Sequence, residues 1–291
     1  MAIRTDLARE AHEMILQQGN ETEGIETREI RREGFDVFRV DVTDIRGAEA
    51  IGKPVGSYIT LELDSLMRRE DDAFARGARA LAAELSPLLP DNGGCVLIAG
   101  LGNRHITPDS IGPEAVRWTL ATRHLVDGMA ETFGSLRPVA AVSPGVLGDT
   151  GMESAELVGA LCKRLHPVCV IAVDALAARS THRLCRTVQI ADTGITPGSG
   201  VGNHRLGLNK ESLGCPVIAV GVPTVVDART LAADLMGGAE ESIPHDSGRG
   251  LIVTPREIDR QAADISRLVG YGINLALQPT LDVGDLDMLL G

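Results

Sequence analysis

The 291-residue sequence carries very few aromatic side chains: four Phe, two Tyr and one Trp. Proteins that grip single-stranded nucleic acid stack bases on aromatic platforms, so this poverty excludes such a platform. Positive charge is also short, with 28 Lys and Arg against 40 Asp and Glu, a net charge of −12. That balance argues against wrapping a phosphate backbone. Long hydrophobic runs are missing as well. Val168–Val173 and Val217–Val222 are far shorter than the ~20 apolar residues that span a bilayer. The opening Met1-Ala2-Ile3-Arg4-Thr5-Asp6 has no apolar stretch of signal-peptide type. A soluble, cytoplasmic protein that engages neither nucleic acid nor membrane is expected.

Several site signatures are absent too. Cys95, Cys162, Cys169, Cys185 and Cys215 include no C-x-x-C pair, and their number is odd. Small buried thiols in a reducing compartment fit better than a disulfide framework or a metal site. None of the seven His forms H-E-x-x-H or a helical pair at ligand spacing, so no metal ligands are assigned. No G-x-S-x-G elbow occurs, although Gly198-Ser199-Gly200 comes near it. Gly100-Leu101-Gly102-Asn103 lacks both G-x-G-x-x-G and the G-K-[ST] of a phosphate loop, and reads as a tight strand exit.

What is present is an aliphatic core and abundant glycine: 44% hydrophobic residues and, outside that class, 33 Gly. Apolar runs at Cys95–Leu101, Val139–Val142, Val168–Val173, Val188–Ala191 and Val217–Val222 read as strands. Phe35–Thr43 alternates as a half-buried strand does, and Ser57–Leu63 is another. Helical stretches fall at Asp71–Leu89, Pro113–Phe133, Ser154–Leu165, Val225–Met236 and Pro255–Leu277. Residues 1–33 suggest a short helix and a mobile arm, Gly47–Gly56 a loop, and Gly237–Gly250 a surface loop. The alternation implies an α/β fold, a mostly parallel sheet with helices on both faces.

In such a sheet chemistry gathers at the carboxyl ends of strands. Three of these ends carry an acid: Asp109, Asp174 and Asp192. If the first two strands are parallel neighbours, Asp109 and Asp174 share one edge. Two close carboxylates cannot both ionise cheaply, so they can share a proton and activate water for amide hydrolysis. On pattern alone a helix-capping role is the stronger reading of each. Asp149-Thr150-Gly151 and Asp192-Thr193-Gly194 echo the D-T-G of pepsin-like proteases, but that fold is all-β and the α/β rhythm rejects it.

Longer motifs then add up. Gly47-Ala48-Glu49-Ala50-Ile51-Gly52-Lys53, Gly100-Leu101-Gly102-Asn103, Thr107-Pro108-Asp109 and Thr122-Arg123-His124-Leu125 come first. Asp174-Ala175-Leu176-Ala177-Ala178-Arg179-Ser180, Pro197–Asn203, Val222–Ala228 and Val253-Thr254-Pro255-Arg256-Glu257 follow in order. Over nearly the whole chain this resembles the germination (spore) protease family. The resemblance implies an endopeptidase degrading small acid-soluble spore proteins in the spore core. It also implies an atypical aspartic mechanism on Asp109 and Asp174, with Asp192 in support. It implies a fold similar to that of the hydrogenase-maturation endopeptidases, which bind a metal; no cofactor is assigned here, and participation of a divalent metal stays open. Substrate contacts would fall on Gly198, Ser199 and Gly200. A homotetramer is implied as well.

The family is made as a zymogen that trims itself at sites like Thr-Glu followed by an apolar residue and Ala. Thr5-Asp6-Leu7-Ala8 fits, so a cut between Asp6 and Leu7 is predicted, with residues 1–6 the propeptide and 7–291 a single peptidase domain. Without the resemblance, Thr5 would be read as a helix cap. The propeptide is shorter than usual, and Gly237–Gly250 replaces a longer insertion. Two rivals remain: a metal-dependent maturation-type endopeptidase using the same acids, and a nucleotide- or small-molecule-binding α/β module using Gly100–Asn103 and the Gly198–Gly202 run.

Overall fold

A computed structural model describes residues 5–17, 19, 23–197, 206–236 and 250–291. Among them one nine-stranded sheet forms the centre. Its strands are β1 (Ile25–Arg32), β2 (Phe35–Val42), β3 (Gly56–Glu62), β4 (Val96–Gly100), β5 (Val139–Val142), β6 (Cys169–Ala178), β7 (Thr187–Ala191), β8 (Val217–Asp227) and β9 (Ile252–Val253). The order is β1-β2-β3-β7-β8-β6-β4-β5, with β9 on β8. The expected α/β architecture is present, and its parallel part is β8-β6-β4-β5. The other half, β1-β2-β3-β7, is antiparallel and joins β8 antiparallel.

Helices cover both faces, because strand residues alternate between them. Ile98, Ile171 and Val173 face helices Ala73–Leu85, Ile111–Arg117 and Ile258–Leu277, packing with Leu81, Ile111 and Leu268. Leu97, Ala99, Val170 and Ala172 point the other way, onto Val158 and Cys162 of helix Ser154–Leu165. On that same face Val40, Tyr58 and Ala191 meet Ala8, Ala11 and Ile15 of helix Ala8–Gln17. Each fully buried Leu or Ile contributes roughly 1.5–3 kcal/mol. No helix among the described residues is long and apolar enough to cross a membrane.

Four local readings are corrected. The expected arm contains β1, a strand with no apolar face: its exposed Glu and Arg side chains hide the period-2 signal. It turns into β2 through Glu33 and Gly34, both at positive φ. The expected loop at Gly47–Gly56 holds helix Ile45–Ile51, capped by the Asp44 carboxylate on the Arg46 and Gly47 amides. The stretch Pro113–Phe133 breaks into Ile111–Arg117, Arg123–Gly128 and Ala130–Phe133. The break is paid for by Asn274, whose side chain donates to Trp118 O and accepts from Leu120 N. Finally, β6 and β8 each run five residues beyond their apolar runs, through Ala178 and Asp227.

All five cysteines are free thiols. Burial pushes the thiols of Cys162, Cys169 and Cys185 up to about 12. At pH 8 only about one molecule in ten thousand would then carry a thiolate at each. Native chain treated with iodoacetamide at pH 8 should therefore stay unlabelled at these three positions by mass spectrometry, and label fully in denaturant.

Candidate active site

The parallel half of the sheet brings Asp109 and Asp174 to one cavity of about 420 Å³. Asp109 arrives on a short 3-10 turn, Thr107–Asp109, just past the end of β4. Its Oδ2 accepts from the Asn103 amide at 2.8 Å, folding the loop back on itself. The Thr224 hydroxyl of β8 donates to Pro108 O at 2.6 Å and fixes the turn against the sheet. The turn sits so close that a Cβ on Gly102 would lie 2.1 Å from Asp109 O, and Gly102 holds φ +107°. The G-L-G exit is therefore a steric requirement for presenting Asp109.

Asp174 is not a helix cap. It lies within β6, opposite Gly221 of β8, and is only 4% exposed. Its Oδ1 accepts from the Ala175 amide at 2.9 Å. The reason it faces a cavity is topological. β4 pairs with β6 only as far as Gly100 opposite Val173, so beyond that point one side of β6 has no strand beside it.

The N-terminal segment occupies that open side. The Asp6 amide donates to Ala177 O at 3.0 Å, and the Ala177 amide donates to Asp6 Oδ2 at 2.9 Å. A register shift between Leu176 and Ala177 accompanies this pairing. Leu7 is fully buried among Leu176, Ala178, Leu184 and Val226. Asp6 lines the cavity that Asp109 and Asp174 line. It also lines a second, smaller cavity of about 70 Å³ together with Lys53 and Gln189.

Three side chains clamp this segment. Lys53 Nζ donates to Thr5 O at 3.1 Å. Burial lowers the Lys53 amine below its ordinary value, opposed by the nearby Asp6 and Glu10 charges. Glu10, 3% exposed, accepts from the Arg179 and Ser180 amides at 2.7 and 2.9 Å, and Thr5 Oγ1 donates to it. Gln189 reaches across from β7: its Nε2 donates to Asp6 O at 3.1 Å, and its Oε1 accepts from Ala8 N at 2.7 Å. Only one orientation of the Gln189 amide satisfies both contacts. In the sequence Gln189 shows only as a polar side chain between Val188 and Ile190 in an apolar strand.

The other expected residues fall elsewhere. Asp192 does not join the pair, because β7 runs antiparallel to β8 and its carboxyl end leaves toward the opposite edge. There its Oδ1 accepts from the Ser57 amide at 2.8 Å. Gly198, Ser199 and Gly200 lie outside the described residues. A further acid, Asp227, lines the large cavity, but its Oδ1 caps helix Ala228–Leu235 by accepting from the Arg229 and Thr230 amides. Among the described residues no group of three or more His, Cys, Asp or Glu is placed to hold a metal ion.

Comparison with known proteins places these features in company. A family model described as germination protease matches residues 3–237. The germination protease of Caldanaerobacter subterraneus subsp. tengcongensis is 42% identical over 323 residues, covering 100% of this chain and 98% of that one. The germination protease of Clostridium tetani is 38% identical over 322 residues, covering 100% of both. That of Bacillus mycoides is 36% identical over 349 residues, covering 97% and 95%. Among solved structures, the [NiFe] hydrogenase maturation protease HycI of Thermococcus kodakarensis aligns at 19% identity and a TM-score of 0.37, covering 65% of this chain and 98% of that one.

The steric role of Gly102 is open to direct test. Gly102→Ala should destabilise the chain by about 2–3 kcal/mol in urea unfolding, from the positive φ and the overlap with Asp109 O. Gly128→Ala is the control, since a Cβ there meets nothing within 4 Å. It should leave stability unchanged or raise it by about 0.5–1 kcal/mol.

Proposed function

The chain belongs to the germination protease family, and from that premise we propose that it is a self-processing endopeptidase of spore germination. Its substrates are small acid-soluble spore proteins of the spore core. Residues 1–6 are the propeptide, 7–291 form one peptidase domain, and the bond between Asp6 and Leu7 is the one it cuts in itself. The assembly carried over from the family is a homotetramer. The observation that supports the reading best is the shared cavity: Asp6, the residue before the bond in question, lines the same space as Asp109 and Asp174.

In this mechanism Asp109 and Asp174 share a proton. One carboxylate takes a proton from a water molecule as that water attacks the Asp6 carbonyl carbon. The other donates its proton toward the carbonyl oxygen and then to the Leu7 nitrogen as the C–N bond breaks. Products are a carboxylate at Asp6 and a free amine at Leu7. A substrate strand would take the place of the N-terminal segment along the open side of β6, pairing with Ala177 as Asp6 does. Peptides adding to an unpaired strand edge in this manner gain affinity from main-chain bonds and selectivity from side-chain pockets.

The test is intact-mass analysis together with cleavage of a peptide containing Thr-Glu-Ile-Ala. Wild-type chain is expected to lose residues 1–6 under activating conditions and to cut the peptide. Asp109→Asn and Asp174→Asn should each slow both reactions by about 10³-fold or more with little change in melting temperature. Full activity in either variant would end the pair's role. Exhaustive chelation is expected to leave the rate unchanged; loss restored by a divalent metal would instead make the two acids metal ligands.

A further inference from the structure

Gln189 is a buried polar residue with no part in the mechanism above. It is 7% exposed, sits on β7, and belongs to neither the Asp pair nor the expected glycine loop. Its two contacts bracket Leu7, touching the peptide group before it and the one after it. Nε2 donates to the carbonyl oxygen of Asp6, and Oε1 accepts from the amide of Ala8. The carbonyl of Asp6 is the carbonyl of the Asp6–Leu7 bond.

We propose that Gln189 is a catalytic residue of this peptidase, donating to the carbonyl oxygen of the scissile bond and holding the next amide along the chain. The inference rests on the reading of Asp6–Leu7 as the bond cut. When water adds to the carbonyl carbon, the π electrons move onto oxygen, and that oxygen already faces the Gln189 N–H. Collapse returns the electrons to the carbonyl, breaks the C–N bond and sends a proton to the departing Leu7 nitrogen. A fixed neutral donor on a buried side chain, aimed at developing negative charge, lowers the barrier more than it tightens ground-state binding. The Oε1 contact does the complementary task. Ala8 N is the first amide of helix Ala8–Gln17 and has no partner within that helix. By taking it, Gln189 fixes the residue two places beyond the carbonyl and aligns the bond between them.

A purely structural reading of the same contacts is that Gln189 merely fastens the N-terminal segment to the sheet. The two roles separate in kinetics. Fastening affects binding and stability, whereas oxyanion donation affects the turnover step.

The experiment uses the full chain and its Gln189→Glu and Gln189→Met variants, each left until its own cleavage is complete by intact mass. Glutamate keeps an acceptor for the amide of the residue two beyond the cut but has no donor when ionised. Methionine keeps the length and has neither. Self-cleavage should slow about 10²-fold in both. Toward the Thr-Glu-Ile-Ala peptide, kcat should fall by a similar factor, with KM near wild type for Gln189→Glu. A depsipeptide with an ester oxygen in place of the Ala N–H removes the partner of Oε1. Wild type should show KM raised about tenfold for it, while Gln189→Met treats the two peptides alike.

Variants with kcat within threefold of wild type would overturn the proposal. So would a wild-type enzyme indifferent to the depsipeptide, a result that needs no variant to fold. If wild type cuts neither itself at Asp6–Leu7 nor the peptide, the underlying processing reading fails instead. If wild type cuts both and the variants keep pace, only the role of Gln189 fails.

Discussion

The site depends on one strand outrunning its neighbour. β6 continues to Ala178, but β4 stops pairing with it at Gly100. Past that point the backbone groups of β6 on one side need partners, and buried ones left without any would cost several kcal/mol. The N-terminal segment supplies them through the Asp6–Ala177 pair. That arrangement brings Asp6 to the cavity that Asp109 and Asp174 line. Asp174 is there because it lies on the extended strand, and Asp109 because the turn after β4 folds across the space that β4 vacates.

The surroundings make this placement rigid. The Asp109 turn is pinned by Thr224 and pressed onto a glycine that has no room for a side chain. Leu7 fills an apolar socket, and Glu10 gathers two backbone amides and a hydroxyl. Glu13 and Glu62 extend the anchorage through Arg9 and Arg183.

Much of this was legible in the sequence, and the remainder was hidden for identifiable reasons. Short aliphatic runs announced β4, β5 and β6, and the acids following two of them led to Asp109 and Asp174. Asp192 misled because direction within a sheet is not written in a strand's own residues; β7 looks like its neighbours and runs the other way. β1 was missed because both of its faces are solvated and its charges alternate without an apolar stripe. The broken helix after Pro113 was missed because the group that satisfies the break, Asn274, lies more than 150 residues away. Gln189 was invisible for the same reason, since its meaning comes from contacts with Asp6 and Ala8 over 180 positions upstream.

The claim at the centre is that water, activated beside Asp109 and Asp174, cuts the Asp6–Leu7 bond. Self-cleavage in water enriched in heavy oxygen, with the released peptide weighed by mass spectrometry, tests it in a single turnover. A Met1–Asp6 peptide carrying one heavy oxygen on its new carboxylate, with Leu7 as the first residue of the remaining chain, is the expected result. A cut at another bond, or a released peptide that carries no heavy oxygen, would contradict it.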